Sequence, residues 1–452
     1  DLMVRSEHGL RIISNIAPAA PEAVLERIKC NIDDLASSAA LRLYSDEKFR
    51  WVRLLKSLAY DSVTFDEATT LLGRFAAIET GKTKNNEAQR IFAELFHLSL
   101  SGTQALPEQR RSLIRKFATS DEPYSMVCAE IALVALLKGS HFSSSDNFDF
   151  GSRSRNWGWR PETYGDVWSW RNAAIDLAVE LSPLIPTVRA HLASVARELW
   201  RVPACRAALE RAATSFSAER PWIEGWLSLR AILHVQSQNM AEGDRKRLAQ
   251  LVNRIRPADL LNQARAMIFV PGITWDVADD LLDNTSIKTR LDSASTGAKK
   301  IGARLARDPN VRDTFLRELV IAQHAPNAFE CGTGLAEGTD DLEAIWQELV
   351  ESDFISSQHG MKTLGGFILG AHLRDAPFAE NALNSLISSP SLAKKLPTLQ
   401  AYVAIDVDGI ARLRRAIGEG TVTSSDCYGI ANGNVRDAPP AEFEILLLDI
   451  SR

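Results

Sequence analysis

The sequence predicts an all-α protein, an irregular α-solenoid of stacked helix pairs carrying one long aromatic-rich loop. Three observations lead there. Apolar residues recur at helical spacing through most of the 452 residues. Strand-like alternation is almost absent, and short joints marked by Pro or Gly separate the helical runs. The exception is the stretch from Gly139 to Arg171, GSHFSSSDNFDFGSRSRNWGWRPETYGDVWSWR. It holds four of the chain's ten tryptophans, Trp157, Trp159, Trp168 and Trp170, together with Arg153, Arg155, Arg160 and Arg171.

Taken in order, the apolar run LRIISNI precedes PEAVLERIKC, where Pro21 suits a first helical turn. Helical patterns follow over 46–60, 65–79, 86–100, 107–118 and 122–137. Phe49, Val52, Leu55 and Ala59 share one face of the first of these. Nearly every position after Met126 is apolar, which predicts a helix buried on most sides. Beyond the loop, Val167, Trp170, Ala174, Leu177 and Leu181 line one helix face, and Pro183, Pro186 and Pro203 mark restarts. Further helices read over 220–237, 242–255, 257–269, 273–283, 287–307 and 309–324, then 339–352, 361–373, 376–388, 391–403, 406–418 and 440–450. The run TVTSSDCYGIANGNV at 421–435 reads as a short hairpin or a loop. Pairing periods of about 30–45 residues suit HEAT-like or tetratricopeptide-like units, although no repeated consensus occurs. The resulting organisation is an N-terminal helical region over 1–138, an Arg/Trp-rich connecting loop over 139–172 and a C-terminal helical repeat region over 173–452.

The formal charge of −5, from 52 basic and 57 acidic residues, gives no general attraction to nucleic acid or acidic membranes. No apolar run is long enough to span a bilayer, so no membrane partner is expected. Cys30, Cys128, Cys205, Cys331 and Cys427 are widely spaced and form no CxxC, the pattern of free thiols in a reducing, cytoplasmic setting. The chain starts at Asp1 and ends in EILLLDISR while a helical pattern still runs, so it reads as a piece of a larger protein.

Candidate chemistry is sparse. AAIETGKT at 76–83 resembles a phosphate-binding loop, but Ala76 replaces the first glycine and a helix, not a strand, precedes it. CGTGLAEG at 331–338 lacks the GxGxxG spacing, and its glycines suit close helix contact or a tight turn. DFG at 149–151 has none of the companion motifs of a kinase. The histidines (His8, His97, His141, His191, His234, His324, His359, His372) show no metal-ligand spacing. Asp406 and Asp408 open like a calcium loop, but the later ligands are missing. No catalytic, cofactor-binding or metal residue is therefore expected.

Two basic groups remain, Arg110, Arg111, Arg115 and Lys116 on one helix and Arg245, Lys246, Arg247, Arg254 and Arg256 further on. The loop offers two roles. Its rings can plug a junction between helical layers, with Trp157, Trp159, Trp168 and Trp170 mostly buried and Arg153, Arg155 and Arg160 serving carbonyls from the rim. Alternatively Arg153, Arg155, Trp157, Trp159 and Arg160, with Arg245, Lys246 and Arg247, bind a partner, because rings beside guanidinium groups stack on bases. The core face of the helix that Trp168 and Trp170 enter favours the plug.

The run DFGSRSRNWGWRPETYGDVWSWRNAAIDLA (149–178) resembles a segment of very large bacterial ATP-binding proteins of the STAND type, as do LAEGTDDLEAIWQELV (335–350), GGFILGAHLRDAPFAENALNSLI (365–387) and LPTLQAYVAIDVDGIARLRRAI (396–417). The resemblance covers the middle and the C-terminal half. It implies a helical repeat region attached to an ATPase or effector module, in families thought to sense phage or other foreign components. ATP binding does not carry over, because no usable phosphate loop occurs. The expectation is a noncatalytic scaffold or sensor with a protein partner or attached effector domain, the alternative being a nucleic-acid-binding helical module.

Overall fold

The computed structural model describes residues 7–33, 48–79, 87–140, 142, 149–236, 240–269, 287–433, 435 and 438–451. Among these, 24 α-helices and two 3₁₀ segments make up the regular structure. The only extended pairings among the described residues are isolated bridges, Thr103 with Gly158 and Phe150 with Arg153. The all-α expectation holds. The 421–435 run contains the 3₁₀ segment Ser424–Asn432 in place of a hairpin. The cause is local: the Asp426 carboxylate accepts the Thr423 N–H at 2.9 Å, closing a capping box that starts a helical turn.

The chain forms two compact units. The first comprises Asp1–Ile232 with Lys246–Ile255, the second Leu233–Arg245 with Arg256–Arg452. In the first unit the helices Lys48–Leu58, Ser62–Ile78 and Glu87–Glu94 pack around aromatic rings. Phe92 meets Phe96 at 5.3 Å between centroids and Phe117 at 6.0 Å. Pro107–Ala118 begins on its first-turn proline and packs on Ser125–Leu137, which also touches Tyr164–Leu181 and Val188–Trp200. With Ser62–Ile78 and Glu87–Glu94 also against it, Ser125–Leu137 has five neighbouring helices and little solvent-facing surface, which explains its apolar sequence.

The second unit is built differently. Five of its helix starts are capped by aspartates: Asp259, Asp308, Asp341, Asp375 and Asp406 each accept an N–H from the first turn. Asp406, the first aspartate of the calcium-like AIDVDG, takes the Gly409 N–H at 2.9 Å and so acts as a cap. At the centre, Ala328–Gly338 lies between Ile287–Ala306 and Gln358–Arg374. Ordinary side chains hold helix axes 8–10 Å apart. Here glycines remove that spacer. A Cβ on Gly332 would stand 1.9 Å from the Thr363 carbonyl oxygen, and one on Gly334 2.0 Å from that of Lys299. The CGTGLAEG glycines thus belong inside a helix that touches both neighbours backbone to backbone.

Gly332→Ala is therefore expected to destabilise the protein by about 1–3 kcal/mol or more, because the neighbour it meets is backbone and cannot rotate away. Gly243→Ala, at a helical position with open space around it, should leave stability unchanged or raise it by up to about 1 kcal/mol. Urea denaturation of the two variants checks the contrast, and equal effects would remove the close-packing argument.

Candidate functional site: the Arg/Trp segment

The segment from Asp149 to Arg171 is tied to the helices of the first unit by hydrogen bonds that its sequence does not advertise. Phe150 and Arg153 exchange both backbone bonds (3.0 and 3.1 Å), with Gly151 between them at φ +63°. Further on, Trp157 accepts from Gly102 N–H at 3.0 Å, and Trp159 N–H donates to the Thr103 carbonyl at 2.7 Å. The two chains cross at Gly158, where φ is +86° and a Cβ would lie 2.3 Å from the Thr103 oxygen, so only glycine fits. The Asn156 carboxamide oxygen gathers three donors: Tyr60 O–H at 2.9 Å, Gln104 at 3.2 Å and Gly158 N–H at 2.9 Å.

Arg155 is the first anchor. Its side chain is 4% exposed, donates to the Ser57 carbonyl (2.7 Å) and the Asp61 carboxylate (2.8 Å), and lies over the rings of Tyr60 and Phe150 at 4.4 and 4.6 Å. Burial lowers its pKa, with the Asp61 charge opposing. A position on the rim, expected from the sequence, is thus corrected. Arg155 is an internal cation, because the carbonyls ending Lys48–Leu58 need a donor at that depth. Asp149 of the DFG accepts the Arg155 N–H at 3.3 Å and acts as a turn residue.

Arg110 is the second anchor. It is fully buried and donates to the carbonyls of His97 (2.8 Å), Ala105 (3.0 Å) and Thr103 (3.4 Å). Burial pulls its guanidinium down to about 9, still charged at neutral pH. The Trp159 and Trp170 rings, stacked at 5.7 Å with 18° between planes, both lie against it at 5.6 and 5.4 Å. Trp170 donates its Nε1–H to the Leu136 carbonyl at 3.1 Å, and Arg171 donates to the Gly139 carbonyl at 2.9 Å. These bonds fasten the helix before the segment to the helix after it.

The expectation of four buried indoles is only half right. Trp170 is buried and Trp159 half-buried, whereas Trp157 is 61% and Trp168 41% exposed. The reason lies in helix geometry. A capping box of Thr163 and Asp166 starts Tyr164–Leu181, and two residues along a helix turn about 200°, so Trp168 faces away from Trp170. Trp168 stacks instead on exposed Tyr164, four residues earlier, at 6.4 Å. Arg153 and Arg160 are exposed as well.

The basic groups are largely neutralised. Arg111 pairs with Glu108, and Arg115 with Glu180 at 2.8 Å. Arg245 pairs with Glu242 at 2.6 Å, Arg247 with Glu210, and exposed Lys246 is not free either. Gly81 and Lys82 of the phosphate-loop-like run lie outside the described residues, as do the side chains of His8, His141 and His234. Among the described residues no three His, Cys, Asp or Glu side chains come together as a metal site needs, and no helix is long and apolar enough to cross a membrane. No family model, curated protein or solved structure matches the chain. The likeness to STAND-type proteins rests on the quoted runs alone.

Trp170→Ala is expected to cost roughly 3–5 kcal/mol, the range for a large buried ring, whereas Trp157→Ala and Trp168→Ala should each change stability by less than about 1 kcal/mol. Denaturant midpoints rank the three, and a fall for Trp157→Ala as large as for Trp170→Ala would refute the exposed placement.

His97 adds a pH signature. Burial, then the charges of Lys138 and Arg110, push its imidazole down from 6.5 to about 4. The unfolded ring takes a proton that the folded ring resists, so its stabilising contribution is present above pH 6.5 and is lost as the pH falls toward 4. The stability gap between wild type and His97→Gln should therefore narrow over that window, and parallel curves would sink the assignment.

Proposed function

We propose that this chain is a noncatalytic helical scaffold or sensor module whose protein partner docks on the outward rings of the Arg/Trp segment. The observation that carries the reading is the exposure of Trp157, Tyr164 and Trp168 on a backbone pinned from beneath by Arg110, Arg155 and Trp170. Tyr, Trp and Arg dominate binding hot spots, and rings on a pre-ordered backbone lose little entropy on docking. Stacking of successive helix pairs into an irregular solenoid belongs to the same reading, supported by the sequential packing of helices within each unit. Attachment to an ATPase or effector module, with a role in antiphage defence, is what the STAND resemblance adds. A partner that prefers one packing of the helices would then bias the attached module.

The nucleic-acid alternative is disfavoured by charge. Counterion release requires unpaired cations facing phosphate, and Arg111, Arg115, Arg245 and Arg247 already face carboxylates. Fluorescence polarisation with single- and double-stranded oligonucleotides at two salt concentrations is expected to show no salt-dependent binding. Affinity capture should return a protein that wild type retains and a Trp157→Ala/Trp168→Ala double variant loses while melting like the parent. Salt-dependent oligonucleotide binding, or identical captures, would overturn the reading.

A further inference from the structure

A cleft of about 590 Å³ opens in the first unit between Ser125–Leu137 and Val188–Trp200. That volume is typical of small-molecule sites, which are mostly apolar with a few convergent polar groups. Its walls follow helix spacing. Ile131, Val134 and Ala135 come from the first helix and Val195 from the second, with Ala93 added by Glu87–Glu94. Glu130, Val134 and Lys138 lie at successive turns, so the floor is about 12 Å long with opposite charges at its two ends.

At one end, His191 Nε2 stands 3.4 Å from the Glu130 carboxylate. At the other, Lys138 Nζ lies over the Phe142 ring at 5.7 Å, and the His97 ring meets the same phenyl at 5.2 Å. Among the described residues no carboxylate pairs with Lys138, and none donates to or accepts from the His97 ring. Glu198, the nearby carboxylate, is engaged elsewhere. It accepts from Ser140 Oγ at 2.9 Å, and its other oxygen lies across Gly139 from Arg171. A Cβ on Gly139 would stand 2.7 Å from Glu198 and 3.3 Å from the Arg171 guanidinium. The negative end of Ser125–Leu137 is likewise served, by Trp170 at Leu136 and Arg171 at Gly139. Among the described residues, the groups this end of the apolar trough leaves without a side-chain partner are the Lys138 ammonium and the neutral His97 imidazole, which has an N–H to donate.

We propose that this cleft binds a small amphipathic organic anion, an aryl or alkyl carboxylate or sulfonate, with its apolar body against Ile131, Val134 and Val195 and its anionic group at Lys138 and His97. Charge selects the ligand class. A neutral body gains only the walls and leaves Lys138, half-buried, with no carboxylate partner among the described residues. An anion gains a charge-assisted contact as well. The site stands independently of the protein-docking surface, since Trp157, Tyr164 and Trp168 do not line it.

The test uses two fluorescent probes of similar shape, anilinonaphthalenesulfonate and the neutral N-phenylnaphthylamine, titrated into the full chain. The sulfonate should bind saturably at one site, and at least about tenfold more tightly than the amine, the size of one charge-assisted contact. Lys138→Gln should erase that preference. Val134→Trp, which fills the trough, should abolish sulfonate binding. Equal affinity of wild type for the two probes overturns the proposal without any variant. So does a sulfonate signal untouched by Val134→Trp in a protein that melts like the parent, because the probe then sits elsewhere.

Discussion

Buried guanidinium groups that gather several acceptors at once, backbone carbonyls above all in the first unit and side-chain oxygens in the second, are the interaction on which both units depend. A protein made of many short helices ends many helices, and each end leaves carbonyl groups without an intrahelical donor. Water cannot reach the ones that face inward. Arg110 serves three carbonyls in the first unit, and Arg189 serves those of Phe216 (3.1 Å) and Arg220 (2.7 Å). In the second unit Arg312 donates to Ala306 (2.6 Å) while its fork meets Glu348, and Arg412 bridges Asn384, Gln400 and Glu380. The rigid fork of arginine suits this task better than the single point charge of lysine. Removing such a residue strands several acceptors at once, so its effect exceeds that of one hydrogen bond.

The same device shapes the Arg/Trp segment. Its two internal arginines act from opposite sides. Arg110 belongs to the framework and receives the indoles, whereas Arg155 belongs to the segment and reaches into the framework. Between them, Asn156 and the Thr103–Gly158 bridge fix the backbone. The exposed rings of Trp157, Tyr164 and Trp168 therefore stand outside without leaving the chain beneath them loose. The cleft lies at the foot of this arrangement, since Arg171 and Gly139, the ends of the segment, also set the surroundings of Glu198.

The helical class was legible in the sequence because spacing alone carries it: of the predicted core face, Trp170, Ala174, Leu177 and Leu181 are buried and Val167, in the first turn, is half-buried. Proline starts were legible too, at Pro21, Pro107 and Pro203. The depth of each ring was not. Trp168 and Trp170 have the same side chain two positions apart, and only the helix phase separates the exposed one from the buried one. That phase could have been read from the capping pair Thr163 and Asp166. Arg155 gave no signal, since a buried arginine and a surface arginine look alike until Ser57, Asp61 and Tyr60 are brought beside it from about a hundred positions away. His97 and Lys138 were equally silent, being ordinary residues just past the ends of separate helices. The ion pairing of the basic runs was hidden for a different reason. Their neutralising partners Glu108, Glu180, Glu210 and Glu242 are visible in the sequence, but several are far from the arginines they meet.

The glycine contacts at the centre of the second unit have a mechanical consequence. Where helices meet through side chains, rotamer changes let one slide on the other by an ångström or so. At Gly332 and Gly334 there is no such lubricating layer, because main chain rests on main chain on both sides of Ala328–Gly338. Shear between Ile287–Ala306 and Gln358–Arg374 is accordingly stiff. A push on either outer helix travels through the middle one as displacement, and is not absorbed as repacking.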